Sequence, residues 1–207
     1  MYNNVMIDIE ALGTLVGRKS VVLSIGIVTF DFKENDDWAT LGDTQRWMYV
    51  ELPILPQEKV GREIDFDTVC WWMQQSAEAK KVFSNPINDA HPEAQLIDLE
   101  QKLFQVESFL TPADPEKPYY LWAKPSHYDC PMVKSLFKDF NTDFPIPWWN
   151  YRCMHSFVVP ARLLGIRDSG RESFKGTAHN ALDDAKEQVL EIQGWYRQLK
   201  SLRSSGT

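Results

Sequence analysis

Apolar and polar residues alternate over residues 5–9, and this pattern predicts a β-strand with two different faces. Because strand side chains point alternately to opposite sides, Asp8 and Glu10 share one face of that strand. Residues 21–32, VVLSIGIVTFDF, are apolar on both faces, which is typical of a central strand covered on both sides. A third strand is predicted over residues 46–52, so the chain opens with three strands.

Helical spacing of apolar residues, three or four apart, dominates the remaining chain. It predicts helices over residues 67–83, 93–109, 132–140 and 182–199. A short strand over residues 119–123 lies between the second and third of these helices. Residues 156–165 could form a short helix only if Pro160 begins it. We therefore expect one α/β domain over residues 1–207, with a mixed central β-sheet flanked by α-helices on both faces.

Composition narrows the classes of function and the cellular location. The 207 residues carry a net charge of -7, which argues against a broad basic surface for nucleic acid. An acidic site can still approach a polyanion if divalent cations supply positive charge. Three widely spaced cysteines and no apolar run of membrane-spanning length predict a cytoplasmic protein that does not bind membranes.

The two carboxylates of the first strand have two interpretations. They could form a solvated strand face, which is the commoner arrangement for isolated acidic residues. The neighbouring strand, however, is apolar on both faces, so an open solvent face beside it is unexpected. Asp8 and Glu10 would then lie in a cleft, where paired carboxylates repel each other unless a cation lies between them. Oxygen ligands of this kind suit Mg²⁺ or Mn²⁺.

Further acidic residues occur near the start of two predicted helices. In HNALDDA, residues 179–185, a helical wheel places Asp184 beside the apolar stripe and Asp183 farther from it. Both acids could instead complement the helix dipole, with His179 in the preceding loop. Asp129 follows a strand and opens a helix, where an acidic N-cap is common. These residues gain significance only in combination.

In combination, these motifs resemble a known enzyme family. DIE near the N-terminus, the 21–32 strand, the acid at 129 and HNALDDA follow the order found in DEDDh 3'-5' exonucleases, which have the ribonuclease H-like fold. DIEALGT, SIGIVTFDF, WWMQQS and HNALDDAKEQ are most similar to the branch containing phage exonuclease A-type enzymes and a bacterial 3'-5' exoribonuclease. The resemblance covers residues 5–195. One departure is Tyr128, where many relatives have Phe before the acid.

The resemblance implies a catalytic centre and a cofactor. It implies that four acids bind two Mg²⁺ ions, for which Mn²⁺ can substitute: Asp8, Glu10, Asp129 and Asp184. His179 would be the general base that takes a proton from the attacking water. Two cations can stabilise the attacking and leaving oxygens of a phosphodiester. The expected reaction is metal-dependent hydrolysis that releases nucleoside 5'-monophosphates.

The implied partner is the 3' end of single-stranded DNA or RNA, with DNA slightly favoured. The predicted substrate-binding residues are Ala11, Leu12, Gly13, Trp72 and Gln75. In relatives, a residue near Leu12 wedges beside the last base, and the amides of Ala11 and Leu12 could meet the terminal 3'-hydroxyl; an exposed turn is the alternative. Trp72 could stack on a base, although placement of both Trp71 and Trp72 in the core is the commoner arrangement.

Further candidates lie outside this set, and other functions remain open. Arg18, Lys19 and Lys124 are candidate phosphate contacts. Trp148 and Trp149 could form a second aromatic surface or a homo-oligomer contact. The alternatives to an exonuclease are a non-catalytic nucleic-acid-binding module with the same fold and a metal-binding scaffold.

Overall fold

A five-stranded mixed β-sheet forms the centre of the protein, and its strand order is β3-β2-β1-β4-β5. The computed structural model describes residues 3–14, 19–166 and 174–204. The strands are β1 (Asn4–Ala11), β2 (Val22–Phe30), β3 (Trp47–Glu51), β4 (Tyr120–Ala123) and β5 (Tyr151–Cys153). β1, β2 and β3 pair antiparallel, whereas β4 pairs parallel with β1 and β5 parallel with β4. The predicted three-stranded opening is confirmed.

Within the described residues, six α-helices and four 3-10 turns surround the sheet. The helices are α1 (Leu55–Lys59), α2 (Phe66–Met73), α3 (Pro92–Leu110), α4 (Ser126–Asp139), α5 (Met154–Leu163) and α6 (Ala181–Ser204). The 3-10 turns span residues 40–42, 79–84, 86–89 and 148–150. Among the residues that the structure describes, no helix is both long enough and apolar enough to cross a membrane. The helices predicted over 93–109 and 182–199 are confirmed as α3 and α6.

The prediction of one continuous helix over residues 67–83 is wrong. α2 ends at Met73, and residues 79–84 form a separate 3-10 turn. The N-cap is Asp65, whose side chain accepts hydrogen bonds from the amides of Asp67 and Thr68. The Ser76 hydroxyl then accepts the amide of Ala79 and begins the next turn. Local side-chain hydrogen bonds therefore interrupt a hydrophobic pattern that continues past them.

Two other helix starts differ from the predictions. α4 begins at Ser126, six residues before the predicted start, so it includes Asp129 in its first turn. α5 begins at Met154 and contains Pro160 in its interior, although we expected Pro160 only at a helix start. Met154, Val158 and Ala161 of α5 are buried against the sheet and α6. Burial of this face stabilises the helix despite the hydrogen bond that the proline cannot donate.

Each face of the sheet is covered by different helices. Val5, Ile7 and Ile9 of β1 pack with apolar residues of α3 and α4. Met6, two positions before Asp8 on the opposite face, packs with α5 and α6. Asp8 and Glu10 therefore lie on the face covered by α6, and the predicted arrangement of helices on both faces is confirmed.

Gly26 of β2 allows α6 to approach the sheet closely. A Cβ atom at Gly26 would lie 2.2 Å from the carbonyl carbon of Ala181 and 2.3 Å from the amide nitrogen of Leu182. Gly26 is the antiparallel partner of Asp8 on β1. The first turn of α6 therefore lies directly beside Asp8, and the absence of a side chain at Gly26 makes this possible.

Candidate active site

Asp8 and Glu10 project from the end of β1 toward the start of α6. Glu10 is only 8% exposed. The pairing of β1 with β2 shifts register between Glu10 and Ala11, and such an irregularity redirects the strand next to a site. Because the surrounding face is covered by α5 and α6, the interpretation of these acids as a solvated strand face is wrong. They lie in a buried acidic site.

Asp129 reaches the same site from the first turn of α4. Its side chain is 3% exposed. The N-cap position of α4 is Pro125, so Asp129 is not the capping residue that the commoner interpretation assumed. The Asp129 Oδ2 atom is buried and has no hydrogen-bond partner within the described ranges. A buried carboxylate oxygen without a partner is energetically costly, and a bound cation would satisfy it.

His179 and Asp184 complete the site from the start of α6. Ligand atoms of Glu10, His179 and Asp184 lie within 4.8 Å of one another. Asp184 Oδ2 accepts the backbone N–H of His179 at 2.9 Å. Asn180 caps α6, since its Oδ1 accepts the amides at positions 182 and 183 at 3.1 and 3.2 Å. The structure thus brings Asp184 to Glu10, as the helical wheel indicated.

Burial raises the pKa of every carboxyl group in this site, and repulsion by the neighbouring carboxylates of the site raises the pKa of Asp8 and Glu10 further. Burial raises the pKa of Glu10 to about 8, with further increases from Asp184 and Asp129. Burial also raises the pKa of Asp129 to about 7. The pKa of Asp8 is well above its ordinary value because of burial and then the charges of Asp129, Glu10 and Asp184. Burial raises the pKa of Asp184 as well.

This electrostatic arrangement fits divalent cations. Four carboxylates held together at neutral pH would either bind protons or bind a compensating positive charge. Their hard oxygen donors are the ligands that Mg²⁺ and Mn²⁺ prefer. The residues that could hold such ions are Asp8, Glu10, Asp129 and Asp184, with the His179 imidazole beside them.

A cleft of about 750 Å³ opens beside Glu10 and includes part of the predicted substrate site. Ala11 and Gly13 line this cleft, together with Tyr128. The Tyr128 hydroxyl donates a hydrogen bond to the carbonyl of Gly13. A Cβ at Gly13 would lie 2.3 Å from the Ser20 hydroxyl oxygen and 3.1 Å from the Ser20 Cβ, so a larger residue here would displace the Ser20 side chain.

Leu12 has a different position from the one expected. Its side chain is 3% exposed and packs in a small core with Val21 and Trp72. Its amide already donates to the carbonyl of Val21 at 2.8 Å. The predicted contacts of Leu12 with the terminal base and the 3'-hydroxyl are therefore wrong for this arrangement of the chain.

Trp71, rather than Trp72, offers an aromatic surface beside the site. Trp72 is 1% exposed, and its Nε1 donates to the carbonyl of Ala11 at 3.2 Å, so the prediction of stacking by Trp72 is wrong. Trp71 is 41% exposed and lines the cleft. Its ring centroid lies 4.8 Å from that of His179, in an edge-on contact. Gln75 does not line the cleft, and its Nε2 donates to the carbonyl of Trp71.

The predicted phosphate contacts are occupied by protein partners. Lys19 Nζ lies 2.5 Å from a carboxylate oxygen of Asp139, and Lys124 Nζ lies 2.6 Å from one of Glu191. Arg18 lies outside the described residues. Both lysines would have to exchange an ion pair for a phosphate contact.

Trp148 and Trp149 lie in the 3-10 turn before β5 and are both exposed. Their rings make a mutual edge-on contact with centroids 5.7 Å apart. A role for them in oligomer formation or in binding a second part of the strand stays a prediction.

Sequence reasoning missed one residue that supports the acidic site directly. Gln188 Nε2 donates to Asp8 Oδ1 at 2.7 Å. Gln188 follows Asp184 by four residues on α6, so both side chains lie on the same helix face. That spacing was visible in the sequence and could have identified it.

Comparison with known proteins agrees with this architecture. The family model described as the 3'-5' exoribonuclease Rv2179c-like domain matches residues 3–194. No curated protein sequence gives a significant match. The nuclease domain of 3'hExo, described as a DEDDh family member bound to rAMP, is similar with a TM-score of 0.53 and 12% identity, covering 97% of this chain and 93% of that chain. The RNase domain of the yeast Pop2 protein gives a TM-score of 0.56 and 11% identity, covering 96% and 77%.

These structural similarities establish the fold, and the family match establishes the family. The predicted resemblance to DEDDh exonucleases and the ribonuclease H-like fold are confirmed, whereas the closer resemblance to the phage-type branch stays a prediction. The chain is a 3'-5' exonuclease that belongs to the 3'-5' exoribonuclease Rv2179c-like domain family and has the ribonuclease H-like fold of the DEDDh nucleases.

Proposed function

We propose that this exonuclease removes nucleoside 5'-monophosphates one at a time from the 3' end of single-stranded RNA. The observation that carries the proposal is the convergence of five polar side chains beside one cleft: Asp8, Glu10, Asp129, His179 and Asp184. The family description supports RNA as the substrate. Single-stranded DNA, which the motifs slightly favoured, is the second substrate to test.

The four carboxylates are proposed to hold two Mg²⁺ ions, for which Mn²⁺ can substitute. When bound, such ions would stabilise negative charge on the attacking and leaving oxygens of the phosphodiester. The unpartnered Oδ2 of Asp129 and the raised pKa of Glu10 support this assignment, since both conditions are relieved by a nearby cation. Gln188 would keep Asp8 oriented through its hydrogen bond to Oδ1.

His179 is proposed to act as the general base. Its imidazole has a ligand atom within 4.8 Å of Glu10 and Asp184, so a water molecule at the acidic site would be within its reach. Asp184 fixes the His179 backbone by accepting its amide hydrogen. The Trp71 ring packs edge-on against the imidazole and limits its rotation. His179 would take the proton of the attacking water as the bond to the 3'-oxygen of the penultimate nucleotide breaks.

The cleft provides a place for the terminal nucleotide. It is lined by backbone at Ala11 and Gly13 on one side and by the exposed ring of Trp71 on another. A base stacked on an aromatic ring gains about 1–3 kcal/mol regardless of its identity. We therefore assign Trp71 the stacking contact in place of Trp72, which explains how the enzyme could remove nucleotides of any sequence.

The test uses single-stranded RNA and DNA of equal sequence, labelled at either the 5' or the 3' end. With Mg²⁺, we expect 5'-labelled strands to shorten stepwise and 3'-labelled strands to release a labelled mononucleotide at once. Asp8→Asn and His179→Ala should abolish or severely reduce both signals. The matched controls are Asp143→Asn and His155→Ala, which alter exposed residues outside the site. Equal activity in all five proteins, or cleavage within the strand, would refute the proposal.

A further inference from the structure

The segment that carries His179 has an unusual backbone conformation. His179 has a φ of 64°, in the left-handed region that residues other than glycine rarely adopt. Such a conformation persists only where neighbouring groups fix it. One such constraint is the hydrogen bond from the His179 amide to Asp184, but it holds only the last residue of the segment 176–179.

Asp183 supplies a second constraint, which acts on Thr177, two residues before His179. Its Oδ2 accepts the backbone N–H of Thr177 at 2.8 Å. Asp183 is not part of the group formed by Glu10, His179 and Asp184. Adjacent acids on the first turn of α6 therefore hold two different backbone amides, and only Asp184 also contributes to the acidic site.

Trp38 packs against the other side of the same segment. A Cβ at Gly176 would lie 2.6 Å from Cβ of Asp183 and 2.8 Å from a ring carbon of Trp38. The Trp38 ring also makes an edge-on contact with Phe174, with centroids 5.9 Å apart. Gly176 is thus enclosed between α6 and the connection that joins β2 to β3, where no larger residue would fit.

Lys186 links the two sides of this enclosure. It lies one helical turn after Asp183 and is buried, and the two opposite charges attract each other. Its ammonium nitrogen lies 5.9 Å from the centre of the Trp38 ring and 4.8 Å from that of Trp47. These distances are within the range of cation–π attraction. Lys186 therefore helps to hold Trp38 beside the Asp183 side chain.

We propose that Asp183 is a positioning residue for the exonuclease reaction. Through its bond to Thr177, and with Trp38 behind Gly176, it fixes residues 176–179 so that the His179 imidazole faces Glu10 and Asp184. The inference rests on the proposed role of His179 as the base. It assigns a role to the acid that the helical wheel placed away from the apolar stripe.

The test compares wild type with Asp183→Ala, Asp183→Asn and Trp38→Ala. An error of about 1 Å in the position of a catalytic group can reduce the rate about 10²-fold. We expect Asp183→Ala to lower kcat about 10²-fold while KM changes less than about threefold, and Trp38→Ala to lower kcat in the same way. Asp183→Asn keeps an oxygen that can accept the Thr177 amide, so it should retain kcat within about threefold of wild type.

Two further measurements separate positioning from other roles. Mn²⁺ affinity, measured by electron paramagnetic resonance, should stay unchanged in both Asp183 variants. Hydrogen exchange at the Thr177 amide should be faster in Asp183→Ala than in wild type or Asp183→Asn. Loss of both kcat and Mn²⁺ affinity in Asp183→Asn would overturn the inference, because Asp183 would then be a metal ligand.

The exchange measurement also separates this inference from the proposed function. Equal exchange at Thr177 in wild type and Asp183→Ala would overturn the positioning role whether or not the enzyme is active. A wild-type protein that shortens no strand would refute the proposed function, and with it the role of Asp183 in catalysis. Faster exchange in Asp183→Ala would then still establish the structural contact.

Discussion

Replacement of Gly26 by alanine should separate the two halves of the acidic site. Gly26 lies opposite Asp8 on the neighbouring strand, and the first turn of α6 rests on it. The added Cβ would lie 2.2 to 2.3 Å from backbone atoms of Ala181 and Leu182. Backbone atoms of a helix cannot turn aside as a flexible side chain can. The start of α6 must therefore move away from the sheet.

The size of this movement follows from the contact distances. Ordinary van der Waals contact begins near 3.4 Å, so the helix start must retreat by about 1 Å in a densely packed interior. Overpacking of this kind costs about 1–3 kcal/mol of stability. Since His179 and Asp184 lie at the start of α6 while Asp8 and Glu10 remain on β1, we expect kcat to fall about 10²-fold.

The assay measures kcat on single-stranded RNA, Mn²⁺ affinity and the midpoint of thermal unfolding in the same preparations. The control is Gly42→Ala, because a Cβ at Gly42 would have no atom within 4 Å. We expect Gly26→Ala to fold with a lower midpoint, weaker Mn²⁺ binding and reduced kcat, while Gly42→Ala matches wild type. Wild-type kcat and Mn²⁺ affinity in Gly26→Ala would refute the argument that this contact sets the spacing of the site.

Three other predictions concern charge, stacking and the support of Asp8. Burial raises the pKa of Glu10 to about 8, so the folded protein holds a proton on Glu10 that the unfolded chain releases at lower pH. The free energy of unfolding of the metal-free protein should therefore fall by about 3 kcal/mol between pH 5 and pH 8. Mg²⁺ should restore this stability, and urea unfolding measures both effects. A gain in metal-free stability with rising pH would contradict this. Trp71→Ala should raise KM about tenfold or more, whereas Phe104→Ala, which alters an exposed aromatic residue outside the cleft, should leave KM unchanged. Equal KM values in wild type and Trp71→Ala would remove Trp71 from the substrate site. Gln188→Leu removes the hydrogen bond that orients the Asp8 carboxylate, so it should weaken Mn²⁺ binding about tenfold or more in a titration. Unchanged Mn²⁺ affinity would show that Gln188 does not support Asp8 as a metal ligand.

Strand periodicity and the helical wheel predicted a large part of the acidic site. The alternation over β1 placed Asp8 and Glu10 on one face, and the structure places both on the face that α6 covers. The wheel favoured Asp184 over Asp183, and Asp184 does lie with Glu10 and His179. These features were predictable because they depend only on the repeat of a regular element.

Features that depend on tertiary contacts were not predictable in the same way. Trp71 and Trp72 differ by about 100° on a helix, so the pattern alone could not decide which ring faces the core. The hydrogen bond from Trp72 to the carbonyl of Ala11 decides it, and it joins residues 61 positions apart. The role of Asp129 was equally open. The direction of its side chain depends on where α4 begins, and the start at Ser126 places Asp129 inside the first turn rather than at the cap.

The end of α2 shows a limit of a different kind. Apolar residues continue at helical spacing past Met73, yet α2 ends there, and the Ser76 hydroxyl accepts a hydrogen bond from the Ala79 amide at the start of a separate turn. Gly26 likewise looked like an ordinary small residue within an apolar strand. Its significance depends on the backbone of Ala181, which lies far away in the sequence.

The carboxylate cluster is proposed to direct water to the phosphorus atom that joins the last two nucleotides. The most direct test is digestion of single-stranded RNA with Mg²⁺ in water enriched in oxygen-18, followed by mass spectrometry of the products. We predict nucleoside 5'-monophosphates with one heavy oxygen on the phosphate, and none from Asp8→Asn. Products with a 3'-phosphate or a cyclic phosphate, or 5'-monophosphates formed equally by Asp8→Asn, would contradict the account.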